Sequence, residues 1–381
     1  MEKVIKMIYF DCAATVKPYP EVLETYVKIS NDYFANPSSN HGLGFACSNM
    51  LEKARGQIAK YLGVESTEVF FDSGASEGNN LAIKGVAYHN RGWAKRIITT
   101  KAEHPSVTNV FQELEREGFD VIYLDYDEDG KINLDQLKEA LDEHTSLVSV
   151  MAVNNEVGYI FPLHEIHEML KGTKAFLHVD ATQAIGKEEI PSSDYELLTF
   201  SGHKIGGLKG SGVLVKKKNV ELDPQIVGGS QERNLRAGTS ATNLDCALAT
   251  ALRISMSTMK KRKENAAQLK ARLIDGLSKI DEVVITSPKN STPFILSFAL
   301  KEHKGSVIAE ALSNEQIYVS TKSACSSREA GYSDVLKNAG YDENISSNGI
   351  RLSFSGNEDI SQADEFMKVF LRLLDEIKVR Q

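Results

Sequence analysis

Cysteine is scarce in this sequence. Its four cysteines, Cys12, Cys47, Cys246 and Cys325, lie far apart with no CxxC pair and no Cys/His cluster, which argues against a disulfide framework and against a zinc site. No stretch approaches the roughly 18 consecutive apolar residues of a membrane span. The opening MEKVIKMIYFDCAATVKPYP likewise lacks the apolar core of a signal peptide, so a cytoplasmic protein without membrane contact is expected. Positive charge is also in short supply: 44 Lys and Arg against 52 Asp and Glu leave a net charge of -8, and direct nucleic-acid binding is not expected. Proline and glycine show no excess that would signal disorder.

What is present suits a large folded enzyme. The 381 residues are 41% apolar and 25% charged, enough for a sizeable core in two or three structural units. From about Ser66 to Val215, strand and helix patterns alternate as in βαβ units, which predicts an α/β fold with a mainly parallel sheet covered by helices. Strands are expected at Arg96 to Thr100, Val121 to Leu124, Leu147 to Val153, Phe176 to Val179, Leu197 to Phe200 and Gly212 to Val215. Several are short apolar runs without clean alternation, as in strands covered on both faces. A long helix is expected from Leu244 to Lys279, with Leu269, Leu273 and Leu277 on one stripe and the run KKRKE at 260–264 read as a solvated face. Beyond it, VVITSP, FILSFAL and QIYVST read as strands, and Ala363 to Lys378 as a terminal helix, giving a second, smaller α+β domain.

Parallel sheets place ligands at the carboxyl ends of their strands, and the informative residues cluster there. Lys204, in SGHKIGG after the strand Leu197 to Phe200, suits a Schiff-base lysine, which needs an amine of depressed basicity; taken alone, a lysine is more often a surface residue on a flexible loop. Asp180, ending the strand before ATQ, suits a buried carboxylate that keeps a pyridinium nitrogen protonated, or simply a helix cap. In DSGASEGNN at 72–80, small residues before a helical pattern suit a phosphate cradle, or an N-capped turn, and lack the lysine of a Walker A loop. His104, after the strand Arg96 to Thr100, suits stacking and proton transfer, though a lone histidine is more often structural.

With these residues in place, the sequence resembles the cysteine desulfurases, class-V aminotransferase-like enzymes of pyridoxal-phosphate fold-type I, over nearly its whole length. The resemblance rests on nine ordered blocks: YFDCAAT at 9–15, ANPSSNH at 35–41, SGASEGNN at 73–80, EHPSV at 103–107, NNEVG at 154–158, HVDATQAIG at 178–186, SGHKIGG at 201–207, RAGTSATN at 236–243 and KSACSS at 322–327. It implies a large pyridoxal 5'-phosphate-binding domain over 15–253 and a smaller one from 1–14 and 254–381 that carries the catalytic cysteine. Lys204 would hold the cofactor covalently and remove the substrate's α-proton, Asp180 would pair with the pyridine nitrogen, and His104 would stack on the ring. Gln183 and Asn155 would meet the phenolic oxygen side. The phosphate would be held by the Ala75 amide, Ser76, Ser201 and His203, with Thr239 reaching in from a second subunit of a homodimer. Arg351, in GIRLSFS at 349–355, would pair with the substrate carboxylate.

Cys325, among Ser and Ala in a longer polar stretch, suits a mobile loop with an accessible thiol. The resemblance makes it the nucleophile that takes sulfur from L-cysteine as a persulfide, while Cys246, in DCALATALRI, reads as a buried structural residue. SACSS resembles the nitrogen-fixation and housekeeping iron–sulfur class. The sequence departs from it after Arg351, where SFSGNED replaces a usual Leu-Gly-Arg element, and at Gln381, short of a C-terminal extension that helps dock the iron–sulfur scaffold. The acceptor therefore stays open between an iron–sulfur scaffold and a tRNA-thiolating enzyme. Two competing readings are a related lyase or aminotransferase acting on another amino acid, selenocysteine included, and a sulfur-relay scaffold without catalysis. Cys325 opposes the simple aminotransferase, and the joint presence of Lys204, Asp180, His104, Gln183 and Arg351 opposes the scaffold.

Overall fold

The computed structural model describes residues 7–321 and 331–377. Its strands in chain order are β1 (Ile8–Tyr9), β2 (Val69–Asp72), β3 (Arg96–Thr100), β4 (Asp120–Leu124), β5 (Thr145–Met151), β6 (Phe176–Asp180), β7 (Leu197–Ser201), β8 (Gly212–Lys216), β9 (Val283–Ile285), β10 (Ile295–Leu300), β11 (Ile317–Tyr318), β12 (Ser320–Thr321) and β13 (Gly349–Ser353). The helices are α1 (Pro20–Asp32), α2 (Gly42–Leu62), α3 (Ala75–Asn90), α4 (Pro105–Arg116), α5 (Leu134–Ala140), α6 (Leu163–Leu170), α7 (Thr242–Leu277), α8 (Gly305–Asn314), α9 (Asp334–Asn338), α10 (Glu343–Ser347) and α11 (Ser361–Glu376). Among the described residues, no helix is long and apolar enough to cross a membrane.

Among the described residues, the large sheet has seven strands in the order β2-β8-β7-β6-β5-β3-β4. Strands β4, β3, β5, β6 and β7 are mutually parallel, while β8 runs antiparallel to both β7 and β2. All seven positions of β5 are buried, as expected for a strand covered on both faces. Helix α4 buries Val107, Val110, Phe111 and Leu114, a single stripe at helical spacing. Helix α3 approaches the sheet more closely. A Cβ on Gly78 would meet Asp72 Oδ2 at 2.7 Å and Thr199 Cγ2 at 2.9 Å, so the missing side chain is what lets α3 lie against β7.

A second core surrounds the antiparallel sheet β12-β13-β10-β9. The 36-residue α7, about 54 Å long, packs its first half on α1 and α2 and brings Leu269, Leu273 and Leu277 into this second core with Phe298, Phe366 and Phe370.

Three local expectations need correction. Val69–Asp72 is a strand although its four residues are too few to carry a periodicity. QIYVST is not one strand: Ile317–Tyr318 pairs in parallel with β1, and Ser320–Thr321 pairs with β13 in another sheet. Within KKRKE, four residues are exposed but Arg262 is buried, because its guanidinium donates to the carbonyls of Gly186, Ser255 and Ser355 and to the hydroxyl oxygens of Ser255 and Thr258.

One segment holds an unfavourable backbone. Glu232, Arg233 and Asn234 have φ of 43°, 54° and 66°, three successive non-glycine residues in the left-handed region. The buried Glu232 carboxylate compensates: it accepts both terminal nitrogens of Arg55 at 2.7 and 2.8 Å and the Phe71 N–H at 2.8 Å. Glu232→Gln leaves Arg55 buried with a weakened partner, so denaturant unfolding should show a loss of roughly 3 kcal/mol with an unchanged slope.

Candidate active site

The carboxyl ends of β2, β3, β5, β6 and β7 open onto one cavity of about 340 Å³. Because β8 is antiparallel, its first residue, Gly212, also lies at this edge. A Cβ there would strike the Gly74 Cα at 2.5 Å, so glycine at 212 leaves room for the turn that starts α3. At that turn the Ala75 N–H donates to Ser201 Oγ at 2.8 Å, and Ala75, Ser76, Ser201 and His203 line one end of the cavity. The N-terminus of α3 adds partial positive charge.

Lys204 follows β7 directly, and its amine donates to the carbonyls of Ala13 and Ala14 at 2.6 and 2.8 Å. Asp180, the last residue of β6, is no helix cap. Its Oδ1 accepts the Thr182 N–H at 3.0 Å, and its Oδ2 accepts Asn79 Nδ2 at 2.8 Å. Asn79 in turn accepts the Thr199 hydroxyl through Oδ1. With that proton committed, Thr199 Oγ1 can only accept from His178 Nε2 at 3.3 Å, while Ser149 Oγ donates to His178 Nδ1 at 2.8 Å. Burial pushes His178 down to about 4, so this relay is neutral and its polarity is fixed toward Asp180.

His104 caps α4 and lines the cavity. Its Nδ1 accepts the Ser106 N–H at 3.1 Å, which leaves the proton of the neutral ring on Nε2, and desolvation by the cavity walls lowers its pKa. His203 Nδ1 lies 3.2 Å from Thr15 Oγ1, and burial, followed by the nearby Lys204 charge, pushes it to about 4. Gln183 lines the same wall and donates to the Ala13 carbonyl at 2.9 Å. Arg351, on β13, closes the far side: Nη1 donates to the Asn155 carbonyl and Nη2 to Asp11, both at 2.8 Å. Its Nε is buried with no partner among the described residues.

All but two of the site residues expected from sequence line this cavity. Thr239 is exposed and does not line the cavity of its own chain. Cys325 lies outside the described residues. A second cavity of about 60 Å³ shares Asn155, Glu156 and Arg351 with the first and is bounded by Thr321, the last described residue before the segment that contains Cys325. The other cysteines are buried, and burial raises the Cys12 and Cys246 thiols far from the thiolate range.

Sequence reasoning missed Asn79, which aims Asp180, Asp11, which holds Arg351, and Thr182, whose buried hydroxyl has no partner among the described residues and which lines the cavity. Asn79 and Asp11 lie within quoted blocks, but nothing local tells which partner each would meet.

The class-V aminotransferase family model matches residues 8–366. A protein named NifS/IcsS protein homolog from Lactobacillus delbrueckii subsp. bulgaricus is 40% identical over 370 residues, 96% of each chain. A Clostridium botulinum protein named cysteine desulfurase IscS is 37% identical over 97% of this chain and 94% of its own. A solved structure titled NIFS-like protein superposes with a TM-score of 0.92 at 34% identity, covering 98% of this chain and 100% of that one.

Glu103, beside His104, supplies a pH signature. Burial raises its carboxyl from 4.5 to about 8 while Thr100 Oγ1 and the Met151 N–H donate to it. The fold therefore favours the protonated acid, and the stabilisation is complete below 4.5 and lost as pH rises through about 8. Glu103→Gln keeps a neutral group of the same shape, so its melting temperature relative to wild type should climb between about pH 5 and about pH 9. A constant difference would show that the carboxyl ionises normally.

Proposed function

The chain belongs to the class-V aminotransferase family and, within it, to the cysteine desulfurases, and from that membership we propose that it takes sulfur from L-cysteine onto Cys325 and releases L-alanine, using pyridoxal 5'-phosphate held at Lys204. The observation that carries the proposal is the convergence of Lys204, Asp180, His104 and the Ala75–Ser201 turn on one cavity with Arg351 opposite.

The residues fit that cofactor. Ala75 N–H and Ser201 Oγ, which now satisfy each other, meet where a phosphate oxygen would take both, beside Ser76 and His203. Asp180 is an aimed carboxylate suited to a ring nitrogen, and the Thr182 hydroxyl, without a partner among the described residues, offers the cavity one more polar contact. Bound there, the cofactor supplies an aldehyde for an amine to capture and a protonated ring that takes up the electron pair left when an amino acid loses its α-proton.

The chain's own groups do the rest. Arg351 has three guanidinium N–H groups beyond its bonds to Asn155 and Asp11, enough to orient a substrate carboxylate. Lys204, whose amine lines the cavity, would carry the substrate's α-proton. Gln183 and Asn155 would meet the phenolic oxygen side of the bound cofactor, and His104 would stack on its ring. Cys325 thiolate then attacks the substrate sulfur: an S–S bond forms, the Cβ–S bond breaks, and its electron pair stays with the carbon skeleton that leaves as alanine after protonation.

A large unit of residues 15–253 would hold the cofactor, and residues 1–14 with 254–381 would bring Arg351 and Cys325 to it. The active form would be a homodimer, with Thr239 completing the other subunit's phosphate site; the exposed Phe34, Leu43, Phe45 and Val227 supply apolar area for such contact. The sulfur would pass to an acceptor protein, either an iron–sulfur scaffold or a tRNA-thiolating enzyme.

Cys325→Ser should retain the visible band of bound cofactor and lose sulfide release from L-cysteine; undiminished desulfuration would sink the assignment of the nucleophile. Lys204→Ala should abolish covalent cofactor retention, measured by borohydride trapping and mass spectrometry.

A further inference from the structure

Lys187 is 3% exposed, and its ammonium makes one hydrogen bond among the described residues, to Gln183 Oε1 at 3.0 Å. Burying a lysine without a carboxylate partner is costly, and a methionine would fill the same space at less expense. The charged and titratable groups facing it are Lys204 after β7, Cys12 after β1, Arg262 on α7 and Arg351 on β13, three of them cationic. Burial first, then Lys204, pushes Lys187 down to about 7. A feature this unfavourable has a use in what it touches.

We propose that Lys187 is a positioning residue that locks the Gln183 side-chain amide with its oxygen turned away from the cavity, so that Gln183 presents only an N–H donor to the cofactor's phenolic oxygen. The inference rests on the reading of Gln183 as a cofactor neighbour. As an ammonium, Lys187 has donors only, so Gln183 Oε1 faces it at 3.0 Å. The other end of the amide agrees, since Nε2 donates to the Ala13 carbonyl at 2.9 Å. That second contact is shared: Lys204 donates to the same carbonyl at 2.6 Å, and this bond must change when Lys204 engages the cofactor. The Lys187 contact lies outside that exchange and holds the amide in one orientation throughout. One Nε2 hydrogen is spent on Ala13, and the other remains for the cavity that Gln183 lines. A donor there stabilises the phenolate and so lowers the proton affinity of the conjugated nitrogen that joins Lys204 to the ring.

The test is a pH titration of the visible band in protein reconstituted with pyridoxal 5'-phosphate, for wild type, Lys187→Met, Gln183→Ala and the double variant. Lys187→Met should raise the midpoint by about one unit, a tenfold gain in proton affinity, and should have little further effect in the Gln183→Ala background. An equal shift in both backgrounds would show that Lys187 acts as a bare charge, and an unmoved midpoint in Lys187→Met would show that it packs and nothing more; either overturns the inference. Should Lys187→Met fail to unfold cooperatively, Lys187→Gln, whose amide can still donate to Gln183, should keep the wild-type midpoint, and a raised midpoint there overturns the proposal. A wild-type protein that stays colourless with the cofactor defeats the functional reading itself, whereas a coloured one with unaltered variants defeats this inference alone.

Discussion

The arrangement of the site depends on the backbone of one residue, Ala13. Its carbonyl accepts Lys204 Nζ and Gln183 Nε2, and its N–H donates to Ser353 Oγ at 2.8 Å. The flanking backbone is fixed to the same strand, with Cys12 N–H donating to the Ser353 carbonyl and Ser353 N–H to that of Phe10. Ser353 lies two residues from Arg351 on β13, so both side chains issue from one face of that strand. A single extended segment thus sets the separation between the amine at the large sheet's edge and the guanidinium on the small sheet. Hydrogen bonds to a charged donor contribute about 1.5 to 3 kcal/mol each. Were the amine to move, the Ala13 carbonyl would keep Gln183 Nε2 as its donor, and the Ala14 carbonyl would lose the Lys204 bond.

Electrostatics then decide what such a cleft welcomes. Lys187, Lys204, Arg262 and Arg351 gather behind and beside it, while His104 and His203 are held neutral by desolvation and His178 by deep burial. Asp180 accepts hydrogen bonds from Asn79 Nδ2 and the Thr182 N–H. The balance favours anionic ligands, which is what a phosphate at the Ala75 turn and a carboxylate at Arg351 would be.

Much of this was legible from sequence because parallel strands announce their ends. Short apolar runs stop at Asp180, Ser201 and Thr100, and the chemistry-bearing residues follow at once. What escaped was what only the folded chain brings together. Nothing near Arg262 in KKRKE tells that four hydrogen-bond acceptors from residues 186, 255 and 355 would surround it. Nothing near Asp11 points to Arg351, 340 residues away. QIYVST carries a strand pattern, yet it serves two sheets in succession, its first half pairing with β1 and its second half with β13. Val69–Asp72 is short enough that only its neighbour β8 makes it a strand.

The segment at 228–240 extends the same logic to the surface. Its left-handed run is anchored at Glu232 by Arg55, and four residues on, Arg236 forms a two-nitrogen ion pair with Glu77, whose Oε2 also accepts Ser73 N–H and Oγ. The turn that carries the Ala75 amide is therefore tied to the segment that ends in the exposed Thr239. Two buried or half-buried ion pairs hold this segment in the single chain, so little conformational entropy would remain to be lost on association. In the proposed homodimer each Thr239 would be referenced, through Arg236 and Glu77, to the phosphate turn of its own chain while serving the other. The unfavourable backbone at residues 232–234 then makes physical sense as the sharp bend that carries the chain from the buried Arg55 contact to the exposed Thr239.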